Sequence, residues 1–254
     1  MFDDLRGKVI LVTGASTGIG AAAASAFGAA GARVAVHYNA SADAAKEVAA
    51  SIAAGGGEAQ LFRANATQAE ALDQLLADVV AHWGRIDVLV NNAGNLFGRR
   101  AFAESDDVFL DELLNLNVRS VVRLSRGIIP VFKRQGSGNI INVTSIAARN
   151  GGGPGVVLYA ATKGFVSTLT RGLAKELAPL RVRVNGVAPG VILTPLHDRH
   201  SSQATLDAMK ATIPMGRLGT ADECAPAFLY LASDAASGYV TGQVIEVNGG
   251  QLMP

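Results

Sequence analysis

A chain of 254 residues that is 49% hydrophobic is long enough to bury one sizeable core. With 22 basic and 21 acidic residues, its net charge of +1 supplies no field for nucleic acid or an anionic membrane. No apolar run approaches the ~18 residues of a membrane span.

The opening "MFDDLRGKVI" has no basic region leading into an apolar run, so no secretory leader is expected. The single cysteine, Cys224, excludes an internal disulfide framework, fits the reducing cytoplasm and reads as a small core residue. The four histidines show no metal-ligand spacing with acidic or thiol partners, so no metal site is expected.

In chain order, short β-branched runs alternate with alanine-rich helical stretches. "KVILVT" (8–13) leads into "IGAAAASAFGAAG" (19–31), and "RVAVHY" (33–38) into "ADAAKEVAASIAA" (42–54). "EAQLFR" (58–63) precedes "QAEALDQLLADVVAHW" (68–83); "IDVLVNN" (86–92) precedes a helical region at about 106–135. "NIINVT" (139–144), a helix holding Tyr159 and Lys163, "RVRVNGVA" (181–188), a helix near 221–232 and "QVIEV" (243–247) complete the series. Most of the inner runs are apolar at consecutive positions, as strands covered on both faces must be. The alternation predicts one α/β domain over residues 1–254, a doubly wound parallel sheet with helices on both faces. The glycines of "AAGGGEAQ" (53–60) read as a turn rather than a linker. Thr220 and Glu223 have capping-box spacing, and Pro226 in the same helix predicts a bend.

"VTGASTGIG" places Gly14, Gly18 and Gly20 between the first strand and the first helix. Missing side chains there let the chain turn tightly and let a pyrophosphate approach amides at a helix N-terminus. Further on, Tyr159 stands four residues before Lys163, with Ser145 upstream at the end of a strand. Four tyrosines and six lysines would produce such a Tyr–Lys step by chance only about 0.1 times in a chain this long. The two share a helix face one turn apart, so the ammonium should favour phenolate and lower the tyrosine pKa.

"TGASTGIG" (13–20), "NNAG" (91–94), Tyr159-x-x-x-Lys163 and "PGVILT" (189–194) together resemble the motif series of the short-chain dehydrogenases/reductases, in order and spacing, from about residue 6 to the C-terminal "TGQVIEVNGG". The resemblance implies a seven-stranded Rossmann sheet, a bound NAD(H) or NADP(H), and a homotetramer. It implies that Tyr159 donates a proton to a reduced ketone, that Ser145 bonds the carbonyl oxygen, and that Lys163 tunes Tyr159 and holds the nicotinamide ribose. An asparagine completes the set. Asn115 and Asn117 point about 200° apart on an α-helix, and the pattern matches Asn117. The step from Ser145 to Tyr159 is one residue longer than the family's, and the run "NGGGPG" (150–155) is the place to absorb it.

For the cofactor, the resemblance implies contacts from Gly14, Ser16, Thr17, Gly18, Ile19 and Gly20. It adds Asn65, Ala66, Asn91, Ala93 and Gly94, then Tyr159 and Lys163, and Pro189, Gly190, Ile192 and Thr194. NAD-preferring members carry an acidic residue at the end of the second strand. Here Tyr38 and Asn39 stand there, with Ser41 nearby, and no carboxylate repels a 2′-phosphate. NADP(H) is therefore expected in preference to NAD(H), although the arginine that many NADP-preferring relatives carry at Thr17 or Asn39 is missing.

The polar stretch near 191–216 reads as a substrate lid containing His197 and His200, while Arg99 and Arg100 either rim the site or face solvent. The expected reaction is hydride exchange between nicotinamide and a ketone or secondary alcohol, with 3-oxoacyl thioesters as the leading substrates. Arg134 and Lys175 are generic candidates for docking a carrier protein. A sugar or polyol dehydrogenase, and a non-catalytic cofactor-binding regulator, are the alternatives.

Overall fold

Consecutive apolar residues in the strands divide between the two faces of one sheet. Ile10 and Val12 enter the core on one face, and Val9 and Leu11 enter the core on the other. The computed structural model describes residues 2–195 and 202–253. Its first half runs β1 (Val9–Val12), α1 (Gly18–Ala29), β2 (Arg33–Tyr38), α2 (Ala42–Ala54), β3 (Glu58–Arg63), α3 (Ala69–Trp83) and β4 (Val88–Asn91). Next come α4 (Asp107–Leu114), a wide π turn at Asn115–Arg119, α5 (Ser120–Gln135) and β5 (Gly138–Val143). The short α6 (Ala147–Asn150), α7 (Val157–Leu177) and β6 (Val182–Pro189) follow. After them come β7 (Ile192–Leu193), α8 (Gln203–Lys210), β8 (Gly219–Thr220), α9 (Ala221–Ala232), α10 (Asp234–Ser237) and β9 (Val244–Val247).

The seven long strands form one parallel sheet in the order β3-β2-β1-β4-β5-β6-β9, and β7 pairs with β8 beside it. These are the seven strands expected from the sequence, with ends shifted by no more than two residues. The order reverses between β1 and β4. A crevice therefore opens at the carboxyl ends of those strands, where ligands of open α/β sheets bind.

Phe27 and Phe228 anchor the core on one face, and Phe132 anchors the other. Each such side chain contributes about 1.5–3 kcal/mol on burial. Cys224 is fully buried in the first of these cores. Small residues let helices lie close: a Cβ at Gly28 would come within 2.5 Å of Ile52 on α2. At the start of α9, Glu223 accepts the Thr220 N–H at 2.9 Å, and the helix continues through Pro226.

Candidate active site

The loop joining β1 to α1 is bare by necessity. Gly14 and Gly18 have φ of +62° and +56°, in the left-handed region that disfavours a side chain. A Cβ at Gly20 would sit 2.3 Å from the Gly14 carbonyl oxygen, and one at Gly18 would sit 3.3 Å from Thr194. The loop thus packs against the turn carrying Pro189, Gly190, Ile192 and Thr194, although 176 residues separate Gly18 from Thr194. Ser16 and Thr17 lie along the open part of this loop, while Ile19, in the first turn of α1, packs against the core. A cradle kept clear of side chains at a helix N-terminus fits a dinucleotide pyrophosphate.

Two residues outside the expected set hold this cradle. Asn92 Nδ2 donates to the carbonyls of Thr13 and Gly14 at 2.8 and 3.0 Å. Thr13 Oγ1 accepts the N–H groups of Asn92 and Ala93 at 2.9 and 3.0 Å. The doubled asparagine of "NNAG" was the available signal for Asn92. Asn91 is buried and donates to Ser125 and Asn142 at 3.1 and 2.9 Å, so its side chain braces the sheet interior.

On the adenosine side, Tyr38 ends β2 and packs against the core, while Asn39 and Ser41 are exposed before α2. Asn65 departs from expectation. Its single amide oxygen already accepts the Thr67 N–H at 3.0 Å and the Thr67 hydroxyl at 2.8 Å, which fills both lone pairs. Ala66, beside it, is buried. An arginine from another strand lies next to Asn39. Arg63 ends β3 opposite Tyr38, and its Nε donates to the Asn39 carbonyl at 3.2 Å.

The four expected catalytic residues converge at the ends of β4 and β5. Ser145 follows β5, its Oγ accepting the Ala147 N–H at 3.1 Å, and its hydroxyl neighbours that of Tyr159. Lys163 is buried on α7, donates to the Val143 carbonyl at 2.9 Å, and holds its ammonium 5.8 Å from the Tyr159 ring centre. Asn117 is buried on the π turn. Its Oδ1 accepts the Asn95 N–H at 2.9 Å, and its Nδ2 donates to the Asn95 carbonyl at 2.9 Å and to Thr162 at 3.4 Å. Asn115 instead bonds Arg119 on the exposed side. Gly94 marks the point of convergence: a Cβ there would lie 3.1 Å from Asn117 Oδ1 and 3.2 Å from Lys163 Nζ.

The electrostatics differ from expectation. Burial pushes the Tyr159 phenol up to about 12, only partly opposed by the neighbouring Ser145 hydroxyl. Burial also pushes Lys163 down to about 8. The spacing argument assumed a solvated ammonium acting on a solvated phenol. Enclosure penalises the charged form of each group, and that outweighs their attraction.

Arg99 Nη1 donates to the Pro154 carbonyl at 3.2 Å, and the Arg100 N–H donates to the Gly155 carbonyl at 2.9 Å. Arg100 also pairs with Asp106 at 3.1 Å and lies 4.4 Å from the centre of the Phe109 ring. Both arginines therefore tie down the long Ser145–Tyr159 connection. His197 and His200 lie outside the described residues.

The family described as enoyl-(acyl carrier protein) reductase matches residues 14–251. A 3-oxoacyl-[acyl-carrier-protein] reductase of Synechocystis sp. is 40% identical over 253 residues, covering 98% of each chain. A short-chain type dehydrogenase/reductase from Mycobacterium marinum superposes with a TM-score of 0.93 at 38% identity, covering 100% of this chain and 98% of that one. The NADH-dependent reductase A1-R′ in complex with NAD superposes with a TM-score of 0.86 at 39% identity, covering 100% of both chains. Matched along nearly its whole length in sequence and in fold, the chain belongs to the short-chain dehydrogenase/reductase family of NAD(P)-dependent oxidoreductases.

Proposed function

We propose that the chain is an NADPH-dependent reductase of 3-oxoacyl thioesters, with Asn117, Ser145, Tyr159 and Lys163 as its catalytic residues. The observation that carries this reading is the convergence beside Gly94 of buried Lys163 and buried Asn117, with Tyr159 one helical turn before Lys163 and Ser145 at the end of β5, next to the glycine cradle. The nicotinamide, when bound, supplies the hydride. The cradle of Gly14, Gly18 and Gly20 holds its pyrophosphate, and Lys163 its ribose.

The protein supplies the proton. A phenol pushed up to about 12 is protonated throughout the neutral range, which is the form a proton donor to a developing alkoxide needs. Ser145 Oγ donates to the same oxygen and stabilises its growing charge. Asn117, clamped on both sides of the Asn95 peptide, fixes the wall facing Lys163 and supports proton resupply.

Three features support NADPH over NADH. No carboxylate ends β2, Arg63 reaches the Asn39 carbonyl, and the N-terminus of α2 opens beside Ser41. Acyl thioesters are favoured as substrates by the activity of the Synechocystis relative. The full-length acyl-carrier-protein reductase relatives weigh against sugars or polyols, and a complete set of four catalytic residues leaves a non-catalytic regulator without support.

The stretch 191–216, of which residues 196–201 lie outside the described residues, is the proposed lid over the substrate. The protein works in the cytoplasm as a homotetramer, in which Phe102, Val108, Val157 and Phe165, all exposed on the single chain, are covered by neighbours. Sedimentation velocity tests the assembly. The test of function follows NADPH oxidation with acetoacetyl-coenzyme A and a ketose side by side, with Tyr159→Phe as control. Faster turnover of the thioester, lost in the variant, is the expected result. Turnover of the ketose alone would overturn the substrate assignment.

A further inference from the structure

His37 plays no part in the chemistry described so far, yet both of its ring nitrogens are committed. It lies in β2 and is only 1% exposed. Nδ1 faces the Gly14 N–H at 3.0 Å, and Nε2 faces the Ala64 carbonyl oxygen at 3.1 Å. A carbonyl oxygen can only accept, so Nε2 carries the proton. Nδ1 is then a bare lone pair, which is what the Gly14 N–H requires. One neutral tautomer satisfies both partners. A protonated ring would set N–H against N–H at Gly14. Burial holds the imidazole neutral by pushing its pKa down to about 4, against the opposing pull of the Ala64 bond.

The partners belong to two different loops. Gly14 opens the glycine cradle, and the next amide, that of Ala15, donates to the His37 carbonyl at 2.8 Å. Ala64 opens the turn that continues into Asn65 and Ala66, and its N–H donates to the Tyr38 carbonyl at 3.0 Å. Residues 37 and 38 therefore grip two successive amides of one loop and the first peptide of the other. Strand pairing alone fixes β1, β2 and β3 only up to Val12, Tyr38 and Arg63. Beyond those residues one backbone bond ties each loop to β2, and the imidazole adds a direct bridge from one loop to the other.

We propose that His37 is a positioning residue that sets the spacing between the glycine cradle and the β3–α3 turn, and thereby the fit of the adenosine half of the dinucleotide. The role rests on dinucleotide binding alone, and on neither the acyl substrate nor the preference for NADP over NAD. It separates binding from chemistry, because His37 bonds none of Asn117, Ser145, Tyr159 or Lys163. It also separates two replacements. Phenylalanine keeps the ring and loses both bonds. Asparagine places an acceptor oxygen where Nδ1 stood, within reach of Gly14, and falls short of Ala64.

The experiment measures dissociation constants of NADPH and NADH by fluorescence titration for the unmodified protein, His37→Phe and His37→Asn. kcat at saturating NADPH and the melting temperature are recorded alongside. The expected result is a rise of roughly tenfold in both dissociation constants for His37→Phe. kcat should stay within about twofold, and His37→Asn should recover at least half of the loss on a logarithmic scale. Unchanged dissociation constants in a folded His37→Phe protein would overturn the proposal. So would a fall in kcat equal to the loss of affinity, which would mark general disruption. If His37→Phe does not fold, amide hydrogen exchange of the unmodified protein without cofactor decides the matter. Protection of the Gly14 amide well above that of Ser16 and Thr17 supports the strut, and equal exchange refutes it.

Discussion

Replacing Lys163 with methionine should end turnover and, at neutral pH, make the fold more stable. The side chain is 5% exposed, and its amine is pushed from 10.5 down to about 8 by burial. In the unfolded chain the amine keeps its ordinary affinity for the proton, so below pH 8 the folded state carries a penalty of about 3 kcal/mol. Between pH 8 and 10.5 the unfolded chain still holds the proton while the folded protein has released it. Stability therefore rises with pH in that window, and the penalty shrinks to about 1.5 kcal/mol by pH 9.5. Methionine removes the charge and fills similar space, but it leaves the Val143 carbonyl without the donor now 2.9 Å away. That loss costs about 1–2 kcal/mol. The variant should thus be more stable than the unmodified protein by about 1–2 kcal/mol at pH 7, and the advantage should vanish near pH 9.5. Urea unfolding of both proteins from pH 6.5 to 9.5 measures the difference, in which groups common to both cancel. A difference that stays flat across this range would refute the claim that burial lowers the Lys163 pKa.

Three further outcomes follow from the site. Gly20→Ala brings a Cβ to 2.3 Å from the Gly14 oxygen and 2.4 Å from Asn92 Nδ2, and neither can retreat without moving the cradle. Its dissociation constant for NADPH should rise at least about tenfold, measured by titration. Asn117→Ala strips partners from both the N–H and the carbonyl of Asn95, which should cost about 1–3 kcal/mol in urea unfolding and lower kcat more than it raises the Michaelis constant. Arg63→Gln should weaken NADPH roughly five- to tenfold and leave NADH unchanged, so the ratio of the two dissociation constants reads the role of this cation directly.

Local chemistry was legible in the sequence. Strands covered on both faces must be apolar at consecutive positions, so "VILV" and "RVAVHY" announced themselves, and with them the α/β class. The glycines that open the cradle, and the single turn from Tyr159 to Lys163, are also properties of a few neighbouring residues. What the sequence could not specify are contacts between distant segments. Asn92 reaches Gly14 across 78 residues, Arg63 reaches Asn39 across 24, and His37 reaches Gly14 across 23. Of two adjacent asparagines, strand alternation and packing decided that Asn91 faces the interior and Asn92 the cradle. Asn65 looked available in the sequence because nothing in its spacing reveals that Thr67 turns back onto its oxygen. The direction of the Tyr159 pKa shift was misjudged for the same reason. Separation along a helix sets how strongly two groups attract, but the cost of charging each depends on how completely the rest of the fold excludes water from it, and only the tertiary structure decides that.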